Sequence, residues 1–117
     1  MYKLIVVSSV LVVALFSTAA QGEECDISGV WNHAAKPAKL FIDLSKGEIS
    51  VHSHENNVES IGLVALKSLK LGSTTSSWNA KMYSSAEDSF VDVKITSKGC
   101  NQLNVSFNGE EVLGLLR

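Results

Sequence analysis

The sequence is poor in several features that would point to a function. It has only two cysteines, Cys25 and Cys100, and two cysteines this far apart are no metal signature. Ten lysines and arginines face twelve aspartates and glutamates, so nothing resembles the basic footprint of a nucleic-acid-binding protein. No serine lies in a nucleophile-elbow motif, and no run of oxygen ligands has the spacing of a calcium loop. The sequence therefore predicts no catalytic site, no cofactor and no enzyme activity.

The longest apolar run lies at the amino terminus and predicts export. Lys3 is followed by apolar residues over 4–16 and then by small residues to Ala20, which is the pattern of a secretory signal peptide. The run is shorter than the roughly 20 residues that cross a bilayer, so we expect no membrane association after cleavage. Cleavage after residue 20 and cleavage after residue 22 both satisfy the small-residue rule. We expect a secreted, extracellular protein in which residues 23–117 form one domain.

The two cysteines predict a covalent link across that domain. In an exported chain, Cys25 and Cys100 most simply form one intramolecular disulfide, which would join the first strand to a turn near the end of the chain. An intermolecular disulfide that makes a dimer and a pair of free thiols are the alternatives. The sequence leaves the oligomeric state open.

Short stretches of alternating apolar and polar residues predict β-strands along the whole domain. We place strands at 25–32, 38–44, 48–54, 78–83, 90–96, 103–107 and 112–117. Asn108-Gly109 is the strongest hairpin signal. Residues 61–71 are ambiguous, because their leucines are spaced partly as on a helix and partly as on a strand; we favour a short turn or bend that leads into a strand.

This pattern predicts an all-β fold. About seven or eight short strands with polar turns and no intervening helices are typical of an antiparallel meander. We expect the meander to close into a small barrel, since closure removes the exposed strand edges.

The first strand also carries a resemblance. Residues 28–31, Ser-Gly-Val-Trp, resemble the Gly-x-Trp signature of lipocalins and other calycins. In those barrels an arginine near the end of the chain packs across the tryptophan, so the resemblance implies that Trp31 and Arg117 form a barrel-closing pair. The spacing of Cys25, Gly29 and Trp31 is similar to the start of avidin-type barrels, but the other residues of a biotin pocket are missing, and we do not expect biotin binding.

Most of the domain resembles a family of small exported bacterial proteins that have a lipocalin-like barrel and no established activity. Residues 62–66, Gly-Leu-Val-Ala-Leu, match a Gly-Leu-x-x-Leu segment, and Trp78 and Tyr83 match a Trp-x-x-x-x-Tyr strand. Residues 113–117, Leu-Gly-Leu-Leu-Arg, are similar to a closing Leu-Gly-x-x-x-Arg. The family's Asp-Pro-x-x-Gly turn is absent, because residues 84–88 read Ser-Ser-Ala-Glu-Asp. The resemblance implies a fold and transfers no active site.

Two functional classes follow from these predictions. In the first, the barrel interior or mouth holds a small apolar ligand, as calycin barrels often do, and the lining aromatics are Trp31, Trp78, Phe90 and Phe107. The alternative for these aromatics is that they simply fill a narrow core. In the second class, the protein is a structural or interaction component of an extracellular matrix and acts through its outer surface.

One weak metal-site candidate lies on the third predicted strand. Strict alternation would place His52 and His54 on one face, with Glu55 or His33 as a third ligand for zinc or copper. That face lies opposite the apolar one, so we expect the two imidazoles to point to solvent and to bind no metal.

The tripeptide 104–106, Asn-Val-Ser, matches the N-glycosylation acceptor pattern. Alternation with Leu103 and Val105 predicts that Asn104 lies on the outer face of its strand. The pattern acts only in a eukaryotic secretory pathway, and a position in the middle of a strand rather than in a loop counts against it. The sequence therefore leaves glycan occupancy open.

Overall fold

A computed structural model describes residues 25–117, and the expected signal peptide lies outside the described residues. The described chain forms eight antiparallel strands that close into a barrel in sequence order. The strands are β1 Gly29–His33, β2 Ala38–Asp43, β3 Glu48–His54, β4 Val64–Leu71, β5 Ser77–Ser84, β6 Ser89–Ser97, β7 Gln102–Phe107 and β8 Glu110–Leu116. β8 pairs with β1 and completes the barrel. The predicted all-β meander and its closure are therefore confirmed. Over residues 25–117 there is no helix with the length and apolar character needed to span a membrane.

The core follows from the alternation of apolar and polar residues along each strand. Inward side chains from all eight strands are buried, and those that are fully or almost fully inaccessible include Trp31, Ile42, Ile49, Leu66, Ile95, Leu103, Val105 and Leu115. Burial of each such side chain contributes roughly 1.5 to 3 kcal/mol. An eight-stranded barrel has an interior that side chains can fill, and these side chains occupy the middle of this one.

The alternating strand directions give the barrel two distinct ends. Odd-numbered strands run toward the end that carries the connections 34–37, 55–63, 85–88 and 108–109, which we call the open end. The other end carries the turns 44–47, 72–76 and 98–101, together with residues 25–28 and Arg117, and we call it the closed end. The hairpin turn Asn108-Gly109 has φ values of 53° and 84°, as a two-residue type I′ turn requires.

Residues 25–28 do not extend β1, so the prediction that the first strand begins at Cys25 is wrong. Asp26 Oδ1 accepts hydrogen bonds from the amide N and the Oγ of Ser28, at 3.0 and 2.6 Å. These bonds form a local turn just before β1, so the extended conformation begins only at Gly29. Gly29 then has a φ of 108°, a value that a side chain would strain. The turn carries Ile27 into the closed end, where it is 1% exposed.

Trp31 and Arg117 meet at this end of the barrel. The guanidinium carbon of Arg117 lies 4.2 Å from the centroid of the Trp31 ring. Nη1 of Arg117 donates to the carbonyl of Ser28 at 3.0 Å, and Nη2 donates to the carbonyls of Asp26 and Cys100 at 2.7 and 3.3 Å. The indole N–H of Trp31 donates to the carbonyl of Ile27 at 2.9 Å. The structure thus brings together the two residues that the calycin resemblance pairs.

The disulfide lies beside these contacts. Cys25 is bonded to Cys100, at a sequence separation of 75, with Cα atoms 5.4 Å apart. The bond ties residues 25–28 to the turn between β6 and β7. The predicted intramolecular disulfide is therefore confirmed.

The ambiguous segment 61–71 forms the turn and strand that we favoured. A 3₁₀ helix, Val58–Ser60, precedes β4. Within β4, Lys67 pairs with Lys81 and Lys70 pairs with Asn79, so Ser68 and Leu69 together lie opposite a single residue of β5. This bulge, in which Ser68 has a φ of 57°, returns Leu69 to the core side three residues after Leu66. Leu66 and Leu69 are therefore spaced as on a helix because the extra residue of the bulge separates two inward positions of the strand by three residues instead of two.

Removal of the disulfide should lower stability strongly. In the double variant Cys25→Ser, Cys100→Ser we expect the free energy of unfolding to fall by about 4 kcal/mol, because the bond restricts a long loop in the unfolded chain. Urea denaturation followed by tryptophan fluorescence measures the change against the oxidised parent. A loss below about 1 kcal/mol would contradict this expectation and would mean that noncovalent contacts alone hold the closed end.

The planar shape of the Arg117 guanidinium should stabilise the fold in addition to its charge. Arg117→Lys keeps the positive charge but loses the planar fork that reaches three carbonyls and stacks on Trp31, so we expect a loss of about 1 to 2 kcal/mol in the free energy of unfolding. Lys98→Arg, a charge-conserving change in the neighbouring turn, is the control and should be neutral. Equal effects of the two substitutions would rule out a specific role for the guanidinium.

Candidate functional site

The open end of the barrel leaves apolar side chains uncovered. The inward residues nearest this end, Val51, Met82, Val91 and Phe107, are only partly buried. Other apolar side chains there are more accessible, with Leu63 61%, Val112 46% and Tyr83 45% exposed. The longest connection at this end, 55–63, is hydrogen-bonded back onto β3 through both backbone groups of Val51. The open end is therefore the candidate functional site.

Two depressions meet at this site. The first, of about 250 Å³, opens at the mouth and is lined by Met82, Val91, Phe107, Val112 and the turn 84–86, among others. The second, of about 370 Å³, is lined by Val51, Leu63, Val64, Ala65, Met82, Tyr83 and Phe90. Met82 and Tyr83 line both. The two depressions therefore form one apolar region with Met82 and Tyr83 at its centre.

The second depression exists because β4 and β5 diverge near the open end. Their pairing stops at Leu66 opposite Met82, although β4 begins at Val64 and β5 extends to Ser84. On its other side, β4 pairs with β3 at Val64, through an irregular register around Ala65. β4 thus follows β3 at this end, and a cleft opens between β4 and β5.

The four aromatics predicted to line a ligand site do not share one cavity. Trp31 is fully buried in the core beside Arg117, and Trp78 lies nearer the closed end, where it borders a separate depression of about 310 Å³. Phe90 lies on the outer face of β6, with its ring centroid 5.7 Å from that of Tyr83. Of the four, Phe107 reaches the mouth and Phe90 reaches the outer side of the cleft.

Sequence reasoning missed most of the site residues. Val51 and Met82 lie near the ends of strands that run toward the open end, and Val91 and Val112 lie near the starts of strands that leave it. Alternation had placed Met82 and Val91 on inward faces. An inward side chain is fully buried in the middle of the barrel but partly exposed near the open end. Strand direction combined with inward parity is the signal that would have found Val51, Met82 and Val91. Val112 is an extra residue at a bulge in β8, which local alternation does not mark.

The histidine prediction is wrong in one respect. Val51 pairs with Leu40 and Ser53 pairs with Lys39, so His52 is an extra residue that forms a bulge in β3. The bulge reverses the alternation, and His54 lies opposite the buried Ala38 while His52 is exposed on the outer face. His52 and His54 therefore do not share a face and do not form a pair of metal ligands.

His54 instead lies near His33, at the open end of β1. Nδ1 of His33 accepts from the amide of Ala35 at 3.0 Å, and Nδ1 of His54 accepts from the amide of Asn56 at 3.2 Å. Burial lowers the pKa of His33, and the charges of Lys36 and His54 lower it further. A neutral ring that accepts at Nδ1 carries its proton on Nε2, so Nε2 could bind a metal only if that proton moved and the Nδ1 hydrogen bond were lost. Over residues 25–117 no three His, Cys, Asp or Glu side chains are placed to hold one metal ion.

Asn104 lies on β7, where it pairs with Thr96 of β6 and Gly114 of β8. Its neighbours Leu103 and Val105 are fully buried, so its side chain is on the outer face. Occupancy of this position by a glycan stays a prediction.

Comparisons of the chain with protein-family models, with curated proteins and with solved structures found no match. The geometry of the barrel itself is thus the basis for a functional proposal.

Acid should destabilise the barrel through His33. Its pKa in the folded protein lies below the usual value of 6.5, so the unfolded chain binds a proton first as the pH falls. Stability should therefore be complete above that value and should decrease as the pH falls through it toward the lower folded pKa. Melting temperatures between about pH 7.5 and pH 5 measure this, and His33→Asn should flatten the dependence.

The matched control for this prediction is His52→Asn, which removes an exposed imidazole on the outer face. It should leave the pH dependence of the melting temperature unchanged. The interpretation is wrong if His33→Asn loses stability on acidification as steeply as the parent does.

Proposed function

We propose that this protein is a secreted, non-enzymatic carrier whose lipocalin-like barrel binds a small apolar ligand at its open end. The observation that carries the proposal is the uncovered apolar region centred on Met82 and Tyr83, at the end of the barrel opposite the sealed one. Apolar surface that is grouped in a concave region, rather than scattered singly, is typical of ligand-binding sites.

The size and lining of the region suit a small ligand. Of its depressions, the one of about 370 Å³ is at the lower end of the range for small-molecule sites, and the one of about 250 Å³ is just below it. Most lining side chains are aliphatic or aromatic. The polar groups at the rim are few: the hydroxyls of Ser84 and Ser85, and the phenol of Tyr83, which donates to Asp88 Oδ1 at 2.8 Å. A ligand with an apolar body and at most one polar end fits this arrangement.

The filled core limits where the ligand can be. Trp31, Leu66 and Val105 are fully buried in the middle of the barrel, so a ligand could not reach the closed end without displacing them. Protein interiors are packed too densely to admit a guest without such a displacement. The proposed ligand therefore rests at the mouth and in the cleft between β4 and β5.

Two further observations support secretion. The disulfide is of the kind that persists in oxidising compartments, and the amino-terminal residues have the pattern of a signal peptide. Both agree with a carrier that works outside the cell.

Polar substitution at the open end should weaken binding of an apolar probe. We expect the neutral dye N-phenyl-1-naphthylamine to gain fluorescence with the parent protein, and Leu63→Ser to weaken its binding by about fivefold, because one fully lost apolar contact is worth roughly 1 kcal/mol. Met82→Gln, at the centre of the region, should weaken binding further. Fluorescence titration gives the dissociation constants.

Leu71→Ser is the matched control, since Leu71 is 68% exposed, like Leu63, but lies at the closed end. It should leave dye binding unchanged. No dye binding by the parent, or equal losses in Leu63→Ser and Leu71→Ser, would overturn the proposed location of the ligand.

A further inference from the structure

The charged residues of the strands are segregated around the barrel. Strands β4, β5 and β6 carry four lysines, Lys67, Lys70, Lys81 and Lys94, and one carboxylate, Asp92. The other five strands carry one lysine, Lys39, and four carboxylates, Asp43, Glu48, Glu110 and Glu111. Among the strands of this chain, whose formal net charge is −2, the basic surface is therefore the outer surface of β4–β6, which we call the lysine face. Glu87 and Asp88 lie beyond it, in the turn that joins β5 to β6.

The strand register gathers these lysines into two adjacent rows. In one row, Lys67 lies directly opposite Lys81, which lies opposite Asp92. In the next row, Lys70 lies opposite Asn79, which lies opposite Lys94. Neighbouring strands are about 5 Å apart, and the rows are about 7 Å apart along the strands. All four lysines are exposed, so the face presents a compact grid of ammonium groups around one amide.

This arrangement costs stability, and contacts among residues 25–117 compensate it only in part. Like charges directly opposite each other on neighbouring strands are destabilising, and Lys67 and Lys81 are such a pair. Among residues 25–117 the one ion pair joins Lys81 Nζ to Asp92 Oδ1 at 2.7 Å. Three lysines of the face therefore have no carboxylate partner in that part of the chain. An anionic ligand would supply the negative charges that these three lysines lack.

The other side chains of the face indicate which anion fits. Lys67 Nζ lies 4.1 Å from the centroid of Phe90, so the aromatic surface beside the lysines is already covered by a cation. Nucleic-acid bases need an open aromatic face to stack on, and this face does not offer one. The centre of the grid is Asn79, whose amide can donate to and accept from hydroxyl groups. Charge with interspersed hydrogen-bonding groups matches a sugar polymer better than a base stack or an acyl chain.

We propose that the lysine face binds a linear anionic polysaccharide that bears sulfate or carboxylate groups. The polymer lies across β4, β5 and β6, with its anions on Lys67, Lys70 and Lys94 and its hydroxyls near Asn79. This site is separate from the apolar open end, and its occupation does not depend on ligand binding there. It gives the outer surface a partner of defined chemistry.

The test measures binding of heparin, a sulfated linear polysaccharide, to the full secreted chain at 50 and 150 mM NaCl by isothermal titration or fluorescence anisotropy. Binding should weaken at the higher salt concentration, as expected for an electrostatic contact. The triple variant Lys67→Gln, Lys70→Gln, Lys94→Gln should weaken it at least about tenfold. The single variant Asp92→Asn should strengthen it, because it removes the one carboxylate of the face.

The control is Lys36→Gln, Lys39→Gln, Lys98→Gln, which makes the same change in net charge at residues outside β4–β6, on β2 and in the turns 34–37 and 98–101. It should alter heparin affinity less than about threefold. Equal losses in the two triple variants would overturn the proposal, since net charge alone would then explain binding. Absence of heparin binding by the parent at 50 mM NaCl would also overturn it.

Three further ligands test the class of partner. Uncharged dextran should not bind. Single-stranded DNA of equal charge and vesicles of mixed neutral and anionic phospholipid should bind more weakly than heparin. Tighter binding of either one, lost in the lysine-face variant, would overturn the assignment to a polysaccharide. Circular dichroism spectra and melting temperatures of both triple variants establish that folding is unchanged.

Discussion

The contact between Trp31 and Arg117 is the interaction on which the rest of the barrel depends. It joins the first strand to the last residue of the chain, and the same guanidinium holds residues 25–28 across the closed end through their backbone carbonyls. The disulfide to Cys100 then fixes that segment covalently. A small barrel buries little surface for its size, so the contacts that hold residues 25–28 across one end add to its stability.

The two ends of the barrel differ in how residues 25–117 cover them. Ile27 completes the core at the closed end, whereas Met82 and Phe107 at the open end have no counterpart to Ile27 in that part of the chain. The divergence of β4 from β5 extends this apolar region sideways into a cleft. The proposed ligand site thus lies at the end that residues 25–28 do not cover.

The outer surface has an organisation of its own that is independent of the core. Inward positions must be apolar whatever the function, whereas outward positions can carry any polar residue. On β4–β6 they carry lysines, even where two of them lie opposite each other. Two lysines directly opposite each other are unfavourable for the isolated barrel, and the proposed anionic polysaccharide would offset that repulsion. The proposed carrier site at the mouth and the proposed polysaccharide site on the wall use different residues of one small domain.

The period-two alternation of the sequence determined the fold class and the approximate strands. The turn dipeptide determined the Asn108-Gly109 hairpin, and the presence of only two cysteines determined the disulfide partners. Tertiary structure decided the rest. The bulges at His52 and Ser68 reverse or shift the alternation, and nothing local marks them, since a bulge is set by pairing with the neighbouring strand. The meeting of the two depressions at Met82 and the grid of lysines across three strands likewise depend on register, which joins residues far apart in the sequence.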